Sequence, residues 1–284
     1  DQFGKPYEVD KHYETWMVGS SYLAYGGVLS VIRADDSGLK NGFSGTASNV
    51  KIKSTDHYKE LGYDEDVLST VTVAAKNPGT WSNGLRVAII DGAADQILTV
   101  GAGTAFTNAT VGMAVTQTVP EGTIIAGAAG TSVIDGMFKG IITAKGTSTI
   151  DVKFLSHVSA AGVETPKDQN SVYKFTNTSI SIGSSTANCT GVEDWFENQT
   201  FVTTTATKGG TATETTVKWE TVADKPGTSE YAAARGGRFD EVHVLVIDSK
   251  GTVTGNAGTI LEKHLSLSKA KDAEFSVGSP SYWR

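Results

Sequence analysis

An α+β, β-rich chain of several small domains is what this sequence predicts, an α/β layer fragment plus β-sandwich or barrel-like domains inserted in one another. Two observations carry most of that expectation. The 32 glycines and the excess of threonine favour strands joined by tight turns. Apolar runs are short, recur along most of the chain and are separated by Gly, Thr and Ser clusters. A third observation is the length: 284 residues allow one large domain or two to three smaller ones. With 39% hydrophobic and 19% charged residues the chain can bury a sizeable core, which excludes general disorder.

Taken in order, Tyr13, Trp16, Met17, Ser20 and Ala24 follow the spacing of a helix with one buried face, with Asp10 as N-cap and Gly26-Gly27 as stop. "VLSVIRA" (Val28 to Ala34) then reads as a strand buried on both sides, so residues 1–40 are expected to form part of an α/β core domain. "DHYKELGYD" (Asp56 to Asp64) suits a short helix or turn, and "STVTVAAK" (Ser69 to Lys76) a strand. "NPGTWSNGLRVAIID" (Asn77 to Asp91) sets a Pro-Gly turn, Trp81 and an Asn-Gly step before the apolar strand Leu85 to Asp91, with Trp81 expected to cover the strand end. Residues 41–100 and 211–284 are expected to make a middle β-rich domain, and 101–210 an inserted β domain.

Within the insertion, "MFKGIITAKGTSTIDVKFLSHV" (Met137 to Val158) reads as two strands turning at Ala144 to Thr149, the pattern of small antiparallel sheets or a barrel. "TGVEDWFENQ" (Thr190 to Gln199) breaks the pattern. Thr190 and Glu193 match a capping box and Val192, Trp195 and Phe196 share a face, which predicts a short helix plugging a sheet. "DEVHVLVIDSKGTVTG" (Asp240 to Gly255) is a strand and turn, and "GTILEKHLSLSKA" (Gly258 to Ala270) its hairpin partner, an arrangement that brings His243 and His264 within cross-strand reach.

Chemistry is sparse. Against 31 acidic residues stand 24 basic ones, a net charge of −7, and neither "VKIK" (Val50 to Lys53) nor "SKAKDA" (Ser268 to Ala273) makes a basic run, so no nucleic-acid partner is expected. No apolar run approaches the ~20 residues of a membrane helix, so no membrane insertion is expected. Cys189, the only cysteine, permits no intrachain disulfide and suits a small buried apolar role. His12, His57, His157, His243 and His264 stand singly, without metal-ligand spacing. "GYDEDV" (Gly62 to Val67) resembles half a calcium loop through Asp64 and Asp66, yet lacks the Gly and the distal Glu. Glu193 and Asp194 suit helix capping better than acid–base work, and Trp16, Trp81, Trp195, Trp219 and Trp283 suit structural corners. The N-x-[ST] triplets at Asn108, Asn177, Asn188 and Asn198 are expected by chance in a Thr-rich chain. Phosphate loop, nucleophile elbow, dinucleotide fingerprint and zinc helix are all missing. No catalytic residue, cofactor-binding residue or metal ligand is nominated, and no enzyme is expected.

Several stretches together resemble the tail sheath protein of contractile-tailed bacteriophages, most of all the cyanophage-like branch of the large myoviruses. They are "FGKPYE" (Phe3 to Glu8), "SYLAYGGVLSVIRA" (Ser21 to Ala34), "NPGTWSNGLRVAIID", "DWFENQ" (Asp194 to Gln199), "KPGTSEYAAARGGRFDEVHVLVID" (Lys225 to Asp248) and "GTVTGNAGTILEKHLSLSKAKDA" (Gly251 to Ala273). They occur in the family's order over nearly the whole chain, and the resemblance is weakest from Gly101 to about Thr190. It implies a structural subunit that polymerises as stacked hexameric rings around an inner tail tube and contracts to drive the tube through the host envelope during genome ejection. The implied partners are further copies of itself, the tube protein, and the baseplate and tail terminator proteins. The implied place is the virion tail, assembled in the host cytoplasm, with 101–210 facing outward. Family members are longer, so the chain is expected to be a segment lacking N- and C-terminal parts. The alternative expectation is a phage surface adhesin or carbohydrate-binding β module; a β-rich hydrolase with paired acids is a third.

Overall fold

The computed structural model describes residues 13–30, 38–47, 49–63, 70–127, 130–167, 173–205 and 213–283, with the backbone alone within 120–134 and at 204–205. The chain divides into two compact units, Asp1–Leu85 with Asp248–Thr259, and Arg86–Ile247 with Ile260–Arg284.

In the first unit the expected helix is present as α1 (Tyr13–Ala24), which Gly26 ends at φ 81°, a left-handed conformation that costs glycine little. Its expected buried face is corrected: no α1 residue is buried, and Val18 is 69% exposed. The spacing is helical, but the stripe is covered only in part: Tyr13 and Trp16 are half-buried, and Met17, Ser20 and Ala24 are exposed. The expected strand from Val28 is corrected too. Val28 to Ser30 form no strand and Val28 is 87% exposed. Apolar composition does not suffice, because a strand needs a neighbour for its N–H and C=O groups. Asp10 and residues 31–34 lie outside the described residues.

β1 (Phe43–Gly45) and β2 (Val71–Ala74) pair antiparallel, with α2 (Thr55–Glu60) between them in sequence. Ser54 caps α2, its Oγ accepting from His57 N at 3.2 Å. Buried Asn41 stitches this region together: Oδ1 accepts from Ile52 N at 2.7 Å, and Nδ2 donates to Ile52 O and Ala75 O at 3.2 and 2.8 Å. The Pro-Gly corner enters a 3₁₀ turn, Thr80–Gly84. Trp81 on that turn is 38% exposed and belongs to neither hydrophobic core, which corrects the expectation that it covers the strand end. Hydroxyls hold the corner instead. Ser82 Oγ accepts from Gly42 N and donates to Gly79 O, and Thr252 Oγ1 donates to Trp81 O.

β3 (Leu85–Asp91) leads into an antiparallel barrel. Its elements are β4 (Gln96–Val100), α3 (Thr104–Asn108), β5 (Ala114–Gly127), β6 (Gly130–Lys145), β7 (Thr149–Val158), β8 (Glu164–Pro166), β9 (Ser179–Ile182) and β10 (Ser185–Asp194). The order β4-β10-β9-β5-β6-β7 closes through pairing of β7 with β4, and β8 extends the free part of β7. The barrel and the β6–β7 hairpin agree with the expectation from composition and turn chemistry. Burial alternates along β4, β7 and β9, so Leu98, Val100, Ile150, Val152, Phe154, Ile180 and Ile182 point inward and fill the interior with Val115, Phe138 and Ile142.

One barrel segment is held without a strand ladder. Gln96 exchanges two bonds with buried Phe175: Phe175 N donates to Oε1 at 2.8 Å and Nε2 donates to Phe175 O at 3.0 Å. Gln117 does the same for Thr176 N and O, both at 2.8 Å. Two side-chain amides thereby replace the missing strand and seat Phe175 in the core. Gln96→Leu is expected to cost about 2–4 kcal/mol in a urea unfolding curve, because it orphans a buried N–H and C=O together.

The expected helix over Thr190–Gln199 is corrected. Residues to Asp194 are strand β10, and only Phe196–Asn198 make a 3₁₀ turn. The capping box does not form; Asp194 Oδ1 accepts from Phe196 N and Glu197 N instead. Antiparallel pairing of Gly191–Asp194 with β4 supplies the first part of this stretch with partners and outweighs a weak local helix signal.

β11 (Thr200–Thr205) and β12 (Thr213–Lys218) form a two-stranded ribbon, followed by α4 (Glu230–Ala233), β13 (Glu241–Asp248) and β14 (Thr259–Ser268). β13 lies between β14 and β3 in a three-stranded sheet, so the expected partnership of the last two strands holds. A second core gathers Ile90, Ala94, Trp195, Phe196, Phe201, Trp219, Leu245 and Ile247, with Ile260 packed against it. Trp195 and Trp219 are thus core corners, as expected.

Candidate functional site, a lysine-rich groove around Asp95

Just before β4, Asp95 is held rigidly by backbone: its N donates to Val152 O and its O accepts from Trp195 N. That fixes a carboxylate with only 12% of its side chain exposed. Oδ1 receives Lys225 Nζ at 2.5 Å and Lys167 Nζ at 3.1 Å, while Oδ2 accepts from Phe154 N at 2.8 Å. Burial, the largest single influence, works against ionisation of Asp95, but the two lysines and the amide outweigh it and hold the carboxyl below its ordinary range.

Lys153 completes the cluster. Its Nζ donates to Gly92 O and sits 3.9 Å from the centroid of the Phe239 ring. Burial, with the like charges of Lys225 and Lys269, draws Lys153 down to about 8 against the pull of Asp95 and Asp91. Lys167 is also lowered, chiefly by burial. Since the folded value of Lys153 lies below the ordinary 10.5, the folded protein sheds this proton first. The stability linked to it is absent below about pH 8 and is gained as pH rises from there toward 10.5. Lys153→Met is expected to flatten that rising limb in a series of urea midpoints from pH 7 to about 10.5, leaving the part due to Lys167.

Above the cluster lies a groove of about 1000 Å³, in the size range of ligand sites. Asp95, Gln96, Lys167, Lys174, Lys225 and Arg238 are among the residues that line it. Ion pairs and amide–carboxylate bonds can hold a charged group here. Tyr173 and Thr228 bring hydroxyls to the lining, which includes no histidine or cysteine among the described residues.

The residues weighed from sequence do not converge on this groove. His243 is buried; its Nδ1 accepts from Ser266 N at 2.9 Å, so the proton sits on Nε2, facing Asp224 O. His264 is exposed and contacts Glu262, so the expected cross-strand histidine pair does not form. His157 is buried in the barrel against Tyr173, with ring centroids 5.1 Å apart, and His57 accepts from Lys53 N. Cys189 is buried on β10 and its thiol is raised by burial, the opposite of an activated nucleophile. Asp194 caps its turn, and Asn198 Nδ2 donates to Glu193. His12, Asp64 and Asp66 lie outside the described residues. Among the described residues no three His, Cys, Asp or Glu side chains converge as metal ligands. Nor is any described helix long and apolar enough to cross a membrane. Sequence reasoning missed Asp95 and its lysines, which lie up to 130 positions apart and carry no local signature.

Fold and groove together define a β-rich protein with a small closed β-barrel and a charged groove beside Asp95. Comparison with protein-family models, curated proteins and solved structures returns no match.

Proposed function

We propose that the protein is a structural subunit of a contractile tail sheath, polymerising as stacked hexameric rings around an inner tail tube and contracting to drive that tube through the host envelope. In this reading its partners are other copies of itself, the tube protein, and the baseplate and tail terminator proteins, and its place is the virion tail. The barrel is then the outward-facing insertion, α1 belongs to the α/β layer, and 41–100 with 211–284 form the middle domain.

One observation carries the reading. The second hydrophobic core draws on four of the resembling stretches that are far apart in sequence. Ile90 comes from "NPGTWSNGLRVAIID", Trp195 and Phe196 from "DWFENQ", Leu245 and Ile247 from "KPGTSEYAAARGGRFDEVHVLVID", and Ile260 from "GTVTGNAGTILEKHLSLSKAKDA". The stretch of weakest resemblance, from Gly101 to about Thr190, is most of the barrel, which fills itself with a separate core. A chance scatter of short likenesses has no reason to converge on one core and avoid another. An outward domain with its own core is free to vary while the assembling body stays constant, and bodies with separate cores can move as rigid units when interfaces repack.

Negative-stain microscopy of the protein expressed with its native flanking sequence tests this. Hollow striated cylinders are expected. Monodisperse particles that bind glycans would overturn the reading in favour of a surface adhesin or carbohydrate-binding β module.

A further inference from the structure

We propose that the groove beside Asp95 is a binding site for a compact oxyanion bearing two or more negative charges. The proposal goes beyond the sheath reading and does not depend on it.

Three lysines, Lys153, Lys167 and Lys225, share the carboxylate of Asp95, and Lys174 lines the same groove. Asp91 and Lys269 also bear on Lys153, but they pair with each other at 2.7 Å and offset one another. The lysines are mutually repulsive: Lys225 disfavours the charged forms of both Lys153 and Lys167, and Lys174 disfavours that of Lys167. Three further carboxylates, Asp194, Glu230 and Glu241, line the groove. Asp194 accepts from Phe196 N and Glu197 N, Glu241 accepts from Gly227 N at 2.7 Å, and Glu230 stands in the first turn of α4. Positive charge therefore exceeds its compensation where the groove meets Asp95.

Two cations lining the groove are also unspent. Lys174 and Arg238 are exposed, and neither has a hydrogen-bond or ion-pair partner among the described residues. Lysine supplies a mobile point charge, and the guanidinium fork adds bidentate grip on paired oxygens. Gly227, Gly236 and Gly237 also line the groove and, without side chains, leave space for a ligand to approach the backbone. An oxyanion there would neutralise the excess and relieve the repulsion among the lysines. The same chemistry can come from a free oxyanion or from clustered carboxylates of a protein segment.

Isothermal titration at low salt with pyrophosphate and with hexaglutamate separates these sources, with chloride matched throughout. Saturable binding of at least one probe is expected, weakening as salt rises. Lys174→Gln/Arg238→Gln is expected to lose tenfold or more of that affinity while keeping the wild-type melting temperature, since neither side chain has a partner to lose. Binding of pyrophosphate alone assigns a free oxyanion, and binding of hexaglutamate alone assigns a protein segment; either supports the site. The proposal is overturned if neither probe binds saturably, or if the double variant binds as the wild type does. Cylinders without probe binding sink the groove and spare the sheath reading; probe binding without cylinders does the reverse.

Discussion

Asp95→Ala is expected to lower the unfolding free energy by about 3–5 kcal/mol, the usual cost of stripping one partner from a buried charge cluster. The loss exceeds that of an ordinary ion pair because three separate groups are orphaned: the ammonium groups of Lys167 and Lys225, and the buried amide of Phe154. Repulsion among Lys153, Lys167 and Lys225 then goes unopposed. Asp95→Asn keeps the shape and one acceptor, so about half that cost is expected, though the two lysines still lose their counter-charge. The pH dependence has a definite sign. A carboxyl held below its ordinary 3.8 contributes stability that is complete above that value and is lost as pH falls through the lower, folded value. Urea midpoints between pH 2 and 6 should therefore show an acid limb that is shallower in Asp95→Ala than in the wild type. Equal stability of the two proteins at pH 7 would refute this account of the cluster.

Which parts of this arrangement sequence could reveal follows from how far each determinant reaches. The strands Leu85–Asp91 and Glu241–Asp248, the β6–β7 hairpin and the capped helix at Thr55–Glu60 are written in neighbouring residues, by apolar runs, the alternation of β7, turn glycines and a serine cap. The barrel as a class was legible from the Gly- and Thr-rich alternation, but its closure was not. Pairing of β4 with β7 joins residues some 50 positions apart, and no local pattern encodes that register. Thr190 to Gln199 misled for the same reason. Its local signal is helical, yet β4 pairs with Gly191–Asp194, and pairing decides. Gln96 and Gln117 clamp the Phe175 segment across 79 and 59 positions, a role with no local signature. The groove was hidden most completely, because Asp95, Lys153, Lys167 and Lys225 come from four distant places and each alone reads as a solvated charge.

Asp248→Ala is expected to cost about 3–4 kcal/mol, summed over the bonds that one fully buried carboxylate accepts from its loop. Asp248 ends β13, and the chain then turns back over itself before β14. Its Oδ1 accepts from Thr252 N at 2.9 Å; its Oδ2 accepts from Val253 N, Thr254 N and Thr254 Oγ1 at 3.0, 2.7 and 2.9 Å. Three successive amides are satisfied by one side chain, which lets the loop curl without secondary structure of its own. Burial opposes ionisation most strongly, but the amides and hydroxyl of Thr254, with Val253 and Thr252, outweigh it and hold the carboxyl below 3.8. The linked stability is thus present above that pH and lost as pH falls through the folded value. Asp248→Asn is the sharper experiment. An amide keeps one acceptor oxygen for Thr252 N, but presents N–H₂ to three donors on the other side, so it cannot mimic the carboxylate. Its cost should approach that of alanine, about 2–3 kcal/mol, and amide exchange at Val253 and Thr254 should accelerate together. An asparagine variant as stable as the wild type, with those amides still protected, would mean that the loop holds its shape without the charge.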